Sequence, residues 1–461
     1  MIRMTLDEIA KVTGGRLVNA SPSVTVTGGV EYDSRKVGPG GLFVAFEGEK
    51  VDGHSFAAAV VAAGAAGVLS TRDTGQPGVV VEEPLAALAA LARAVVERLP
   101  GLTIVGLTGS SGKTTTKDYI GQLLARLGAT IAPAGSLNNE LGFPYTVLQA
   151  TEETRFLVLE MGARGIGHIR YLCEIARPQV GVVLNIGAAH IGEFGSVEGT
   201  ARAKGELVEA LPATGVAVLN ADDPLVAGMA PRTGARVLLT GESAGAAVRA
   251  TGVTLDAGGR PAYTIGFGGK NGNVRLGVIG RHQVSNTLAA AGVALSLGMA
   301  FDEVVSALGE IGIVSSRRMD VFVRPDGVTV IDDSYNANPS STAAALNALA
   351  TMGADGRRVA VLGYMAELGE HERSGHEEVG RLAAELGVDR LVAVAGNARP
   401  ILDGAATVEG WTGEAIFAAD QAAALEIVRG DLRAGDVVLV KGSRYRTWDV
   451  VDGLRPEEGR P

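Results

Sequence analysis

The stretch Gly106-Leu107-Thr108-Gly109-Ser110-Ser111-Gly112-Lys113-Thr114-Thr115 decides how the rest of the chain is read. An apolar run, Leu102-Thr103-Ile104-Val105, precedes it and reads as a short buried strand. After it, Tyr119, Ile120, Leu123, Leu124 and Leu127 recur on one helical face. Strand, glycine turn and helix form the context in which such a turn holds phosphate. Gly109 and Gly112 let the backbone turn tightly and bring its N–H groups to a ligand. The helix start adds unpaired donors and a partial positive charge. Thr108, Gly109, Ser110, Ser111 and Gly112 then make the cradle, Lys113 reaches the β/γ-phosphates, and the Thr114 hydroxyl ligates Mg²⁺. The general pattern has glycine where this chain has Leu107; the extra glycine sits one place earlier, at Gly106. An ordinary Gly/Ser turn is the competing reading, and Gly-Lys-Thr at a strand-to-helix junction favours phosphate.

At 461 residues the chain is too long for one typical domain. Hydrophobic residues are 46% and aromatics only 4%, so its cores must be built from Val, Leu, Ile and Ala. The net charge of −10 disfavours non-specific binding to nucleic acid or an anionic membrane. Anionic ligands would need cations gathered locally. One cysteine, Cys173, permits no internal disulfide, fits a reducing compartment, and reads as a core residue. The first residues carry Arg3, Asp7, Glu8 and Lys11, unlike a signal peptide. The longest uncharged apolar run, 56–69, is shorter than the roughly 20 residues a spanning helix needs. A cytoplasmic protein without membrane insertion is expected.

The elements suggest three α/β units. Up to residue 99, strands fit 24–26, 42–46, 68–69 and 79–81, with helices at 6–12, 56–63 and 84–98. From 100 to 313, apolar strands fit 156–159, 180–184 and 216–219. Each is followed by polar or glycine residues, where a doubly wound parallel sheet places its ligand. Residues 240–280 read as short strands with turns at Gly258-Gly259 and Asn271-Gly272. From 314 to 461 the alternation resumes, with strands at 328–331, 359–362, 391–394 and 437–440 and helices at 341–350, 377–386 and 421–428. The tail from Arg455 is polar and reads as disordered.

Chemistry-bearing residues cluster after strands. Glu160 ends the run Phe156–Leu159, which suits either a Mg²⁺ ligand or a capping acid. His190 follows another strand, as a site group or a polar loop residue. Lys204 lies in a helix-like run and alone reads as a solvated lysine. The run Asp332–Pro339 follows a strand and could bond a sugar or base, or start a helix with Asn338 as cap and Pro339 in the first turn; both can hold together. Lys441-Gly442-Ser443-Arg444 is either an anion-binding turn or a plain basic one.

These motifs join others: Asp33-Ser34-Arg35, Asp52-Gly53-His54, Asn138-Asn139-Glu140-Leu141-Gly142, Glu160-Met161-Gly162-Ala163, Ala203-Lys204-Gly205-Glu206 and Tyr335-Asn336-Ala337-Asn338-Pro339. On this set, spread over nearly the whole length, the chain resembles the Mur ligases, ATP-dependent amide-forming enzymes of peptidoglycan precursor synthesis. The Tyr335–Pro339 run is similar to that of members joining D-alanyl-D-alanine to UDP-N-acetylmuramoyl-tripeptide. The resemblance implies a small N-terminal α/β domain that binds the UDP-sugar, a central P-loop ATPase domain with a parallel sheet, and a C-terminal Rossmann-like domain that closes over it. It implies ATP and two Mg²⁺ as cofactors, and a monomer. By the same resemblance Ser34 and Arg35 would meet the uridine nucleotide, and Asn138, Asn139, Lys441 and Arg444 the substrates. Asn286, Arg318, Asp333 and Asn336 would meet ATP. Thr114 and Glu160 would hold one Mg²⁺, and His190 with a carbamate on Lys204 the other. A bare ammonium repels Mg²⁺, whereas a carbamate is an anionic oxygen ligand. Lys113, Lys204 and His190 would be the catalytic groups.

Three positions depart from the family pattern: Tyr364 where Asp is usual, Gln283 where Asn is common, and Ser316-Arg317-Arg318 in place of Gly-Arg, which leaves two arginines for one role. Rival readings are a sister Mur ligase or folylpolyglutamate-type ligase, a nucleotide-binding protein that has lost catalysis, and a motor or switch NTPase.

Overall fold

The computed structural model describes residues 1–187, 194–352, 356–443 and 445–456. Three larger sheets follow one another along the chain, making it an α/β protein. The first runs Arg16–Val18, Gly78–Val80, Gly67–Ser70, Leu42–Val44 and Val30–Glu31, parallel except at its first pair. The helix Leu6–Thr13 beside it is closed by a Thr5/Glu8 capping box and by Gly14 at φ 66°. Pro84 occupies the first turn of the helix Pro84–Glu97, which Glu83 caps.

The central sheet has nine strands. From edge to edge they are Lys270–Arg275, Pro261–Phe267, Val248–Leu255, Arg236–Gly241, Val216–Asn220, Val180–Val183, Thr103–Thr108, Phe156–Glu160 and Thr130–Ile131. All pairs are parallel except the two formed by Pro261–Phe267, which extend the sheet as an antiparallel meander. Side chains alternate between its faces. Ile104, Leu157 and Leu159 pack toward the N-terminal unit, in one core with Leu6, Leu88 and Leu91. Val105, Leu107 and Val158 pack on the other face, against Tyr119, Leu123 and Leu288. The N-terminal and central units therefore share a hydrophobic core.

The third sheet runs Asp320–Val323, Thr329–Asp333, Val437–Lys441, Arg358–Gly363, Arg390–Val394 and Glu414–Ala418. The last strand in sequence inserts beside Thr329–Asp333, so the carboxyl ends of three neighbouring strands open on one crevice.

Several local expectations change. The hairpin turn is at Gly268-Gly269, with φ 56° and 80°, and Asn271-Gly272 lies inside a strand. Gly272 is there for room: a Cβ would sit 2.6 Å from Val305 of the helix Phe301–Leu308. The helix expected from residue 377 begins at Glu372. Arg455 is not loose: it pairs with Asp320 at 2.7 Å and lies over the Phe322 ring. Among the described residues no helix is long and apolar enough to cross a membrane.

A buried pair ties the central unit together. Lys117 and Asp118, both nearly inaccessible, approach to 3.1 Å without the alignment of a hydrogen bond. Lys117 donates to the carbonyls of Pro133 and Gly135, and Asp118 accepts from the Ser315 N–H at 3.0 Å. Asp118→Ala leaves that ammonium buried beside no carboxylate. It is expected to cost about 3–5 kcal/mol, read as a lower denaturant midpoint of the full chain.

Candidate active site

The phosphate-type loop sits where the sequence places it, between the strand Thr103–Thr108 and the helix Lys113–Leu124. Gly112 precedes the helix at φ 77°, and a Cβ there would stand 2.7 Å from Asn286 Oδ1. At Gly109 a Cβ would meet Leu184 at 2.9 Å. Both glycines are thus required by space, and Gly112 also by backbone conformation. Thr108 Oγ1 donates to the Met161 carbonyl at 2.9 Å, pinning the loop's first residue to the neighbouring strand end. Asn185 Oδ1 accepts from the Ser110 and Ser111 N–H groups at 3.0 and 2.9 Å. Lys113 Nζ donates to the Gly109 carbonyl at 2.8 Å, folded over its own loop.

The loop forms one wall of a cavity of about 460 Å³. Glu160 enters from the next strand, 3% exposed. Its Oε2 accepts from Thr114 Oγ1 at 2.8 Å, and its Oε1 accepts from Ser136 Oγ at 2.9 Å and Asn138 Nδ2 at 2.6 Å. The carboxylate is therefore oriented from three sides, and it does not cap a helix. Asn139 turns to the backbone and accepts from the Gly142 N–H at 2.8 Å.

Lys204 corrects the expectation of a solvated lysine. The helix Val197–Glu209 buries it to 1% exposure, on the cavity wall. Burial, and then the charge of Lys113, push its amine well below the ordinary lysine range. Among the described residues it makes no hydrogen bond. His190, the remaining expected partner, lies outside the described residues.

The C-terminal unit supplies the opposite wall. Arg318 Nη2 donates to Thr114 Oγ1 at 3.2 Å, and its guanidinium lies 4.3 Å from the Tyr335 ring centroid. Arg317 turns away, toward Asp452. Its φ of 61° is in the region that favours glycine. Lys441 is buried against Asp333 at 2.5 Å and donates to the Asn336 carbonyl at 2.9 Å. Burial lowers its pKa more than that pairing raises it. Asn338 caps the helix Pro339–Thr351 in a capping box with Ser341, as the helix-start reading expects, and Asp333 and Asn336 line the cavity. Asn286 donates to Gln283 Oε1 at 2.9 Å, and Tyr119 reaches the same oxygen at 3.1 Å; Gln283's longer side chain is held. Arg444 lies outside the described residues.

Not every expected site residue converges. Ser34 and Arg35 occupy a turn of the N-terminal unit off the cavity walls, with Arg35 paired to Asp33 at 2.8 Å. His54 is structural: buried, it bonds Asp52 through Nδ1 at 2.6 Å and Thr71 through Nε2 at 3.0 Å. Tyr364 is off the cavity walls too, its hydroxyl on Glu372 at 2.7 Å and its ring stacked on His376. Sequence reading missed Asn185 and Ser136 as site residues. The signal for Asn185 was an amide just beyond a strand that pairs with the loop's own strand.

Gly112→Ala combines a disfavoured φ with a clash against Asn286. It is expected to weaken ADP binding on the order of tenfold, measured by calorimetry on the full chain.

Comparison with known proteins agrees with this architecture. Three family models match in succession: the Mur ligase family catalytic domain over 27–96, the Mur ligase middle domain over 107–294, and the Mur ligase glutamate ligase domain over 317–444. A Mycobacterium tuberculosis protein named UDP-N-acetylmuramoyl-tripeptide–D-alanyl-D-alanine ligase is 49% identical, covering 96% of each chain. The Escherichia coli protein of that name is 35% identical over 100% of both. Among solved structures, MurF from Acinetobacter baumannii superposes with a TM-score of 0.87 at 32% identity, covering 98% of each chain. MurF from Thermotoga maritima in complex with ADP gives 0.80 at 30% identity, covering 93% of this chain and 97% of that one. The chain belongs to the Mur ligase family.

Proposed function

We propose that this ligase joins D-alanyl-D-alanine to UDP-N-acetylmuramoyl-tripeptide, with ATP converted to ADP and phosphate. The observation that carries the reading is the meeting in one cavity of Lys113 and Thr114, Glu160, Lys204, and Arg318 with Lys441, which come from distant parts of the chain. The named relatives support the choice of substrates. The unit 1–99 is taken as the UDP-sugar domain, 100–313 as the ATPase domain and 314–461 as the unit that completes the site.

The donor set fits Mg²⁺. Thr114 and Glu160 place an alcohol and a carboxylate oxygen 2.8 Å apart beside a helix N-terminus. Mg²⁺ commonly takes one or two carboxylates and fills its shell with phosphate oxygens and water. Among the described residues no cluster of three or more His, Cys, Asp or Glu side chains competes for that role. When bound, the metal offsets charge on the transferring phosphoryl group.

Lys204 fits a carbamate. Its amine is pushed toward the neutral form by burial and by Lys113. A neutral amine adds CO₂ and releases a proton, and the product turns repulsion from Lys113 into attraction. With His190 it would hold a second Mg²⁺.

The reaction then needs positioning and electrostatics more than covalent help. Lys113 and Arg318 face the phosphates while the tripeptide's terminal carboxylate takes the γ-phosphoryl group and ADP leaves. Asn138, Asn139 and Lys441 lie on the same walls and orient the activated acyl phosphate. The dipeptide amine attacks its carbonyl carbon, phosphate leaves, and the amine's proton is lost. Exclusion of water by the C-terminal unit protects the mixed anhydride.

Phosphate release from ATP is expected to require both UDP-muramyl-tripeptide and D-alanyl-D-alanine. Equal release without the dipeptide, or with a single amino acid in its place, sinks the assignment. Lys204→Ala is expected to lower kcat by about 10²–10³-fold, with partial recovery on adding a short carboxylic acid. Because the Lys204 pKa is lowered, its neutral fraction grows at a lower pH than for an ordinary lysine. A ¹³C-bicarbonate carbamate signal should therefore rise with pH below the usual lysine range, and be missing in Lys204→Ala.

A further inference from the structure

The short segment from Ser315 to Met319 links the central unit to the C-terminal unit, and it is held from both sides. Upstream, Asp118 accepts from the Ser315 N–H, and Ser315 Oγ accepts from the Gly135 N–H at 2.9 Å. Downstream, the Met319 N–H donates to Asp333 Oδ1 at 3.3 Å. Between these fixed points, Arg317 and Met319 both take left-handed backbone, φ 61° and 54°. They flank Arg318, the residue that reaches Thr114 of the phosphate loop. A side chain with a Cβ resists that conformation, so something must hold it.

The holding contacts are on the page. Arg317 Nη2 donates to both carboxylate oxygens of Asp452, at 3.2 and 3.1 Å. Its Nη1 donates to the Trp448 carbonyl at 3.5 Å, and the guanidinium lies 5.4 Å from the Trp448 ring centroid. Both partners belong to the helix Trp448–Leu454, the last in the described chain. That helix is itself anchored, with Val450, Val451 and Leu454 in the core of the third sheet. The Arg317 side chain is 21% exposed and that of Asp452 36%, so the pair is partly shielded from solvent.

We propose that Arg317 is a positioning residue: tethered to Asp452 and Trp448 of the last helix, it locks the left-handed turn that aims Arg318 at the phosphate loop. Two adjacent arginines then have separate tasks. Arg318 faces the anion, and Arg317 fixes the backbone behind it. The inference rests on the proposed function only in that Arg318 meets the phosphates of ATP.

The test is a set of coupled variants of the full chain. Arg317→Ala and Asp452→Asn are each expected to raise the KM for ATP and lower kcat/KM for ATP on the order of tenfold. The KM for UDP-muramyl-tripeptide should stay within twofold. Made on an Arg318→Ala background, the same two changes should have no further effect. Arg317→Gly should still lose activity, because the turn is then permitted but no longer fixed. Wild-type values for Arg317→Gly would show that only backbone conformation matters, and would overturn the proposal. Equal losses with and without Arg318 would overturn it too, by showing that the tether merely supports the fold. ADP-induced melting shifts, recorded without either peptide substrate, keep the two readings apart. Coupling of Arg317 to Arg318 seen there, in a protein that fails to ligate D-alanyl-D-alanine, rejects the substrate assignment and leaves the tether. Full ligation with no such coupling does the reverse.

Discussion

Three lysine side chains, Lys113, Lys204 and Lys441, are held on the walls of one cavity in a chain of net charge −10. Desolvation is the largest influence on each and pushes every one of them toward its neutral form. A protein gains nothing in stability from such an arrangement; the charge is kept out of water at a cost of several kcal/mol per ion unless something anionic repays it. Among the described residues, Lys441 is the one of the three with a carboxylate at contact distance, Asp333. The rest of the architecture serves this constraint. A helix start delivers Lys113, the helix Val197–Glu209 delivers Lys204 and a strand end of the third sheet delivers Lys441, while the third unit brings Arg318 against the loop.

The same constraint bears on Glu160, which is buried and, among the described residues, has no ion-pair partner at contact distance. Ser136, Asn138 and Thr114 satisfy its oxygens with neutral donors. Neutral donors hold a carboxylate's orientation without consuming its charge, so it stays available to a cation arriving with the phosphates. Asn185 plays the complementary part for the loop, taking the Ser110 and Ser111 N–H groups through a single amide oxygen.

Much of this was legible from residue order. The glycine loop, the apolar strands and the acids beyond their ends follow from periodicity and from what Gly, Asn and Pro do to a backbone. What escaped was set by contacts far apart in sequence. Lys204 looks solvated on its helix because nothing local says that this helix face meets the loop. Asn271-Gly272 looks like a turn because its real cause, the approach of Val305, lies more than thirty residues away in the chain. Arg317 and Arg318 are interchangeable on paper. They separate only when the last helix presents Asp452 to one and the phosphate loop presents Thr114 to the other. Ser34 and Arg35 are read from their motif, yet they are not among the residues that line the loop's cavity.

The linker's attachment to the phosphate-loop helix has a mechanical consequence. Gln122 exchanges two hydrogen bonds with Gly312, at 3.0 Å each, Arg126 meets Glu310 at 2.6 Å, and Asp118 takes the Ser315 N–H. Everything up to Ser315 thus moves as one piece with the central sheet. Because Arg317 and Met319 are held to the C-terminal unit by Asp452, Trp448 and Asp333, any swing of that unit falls on the few bonds between Ser315 and Arg317, a fulcrum adjoining Arg318 itself. With so short a lever, a large sweep of the outer unit becomes a small displacement at the guanidinium. Loops on its far side can therefore vary in length or shape while the geometry at the phosphates stays in tolerance.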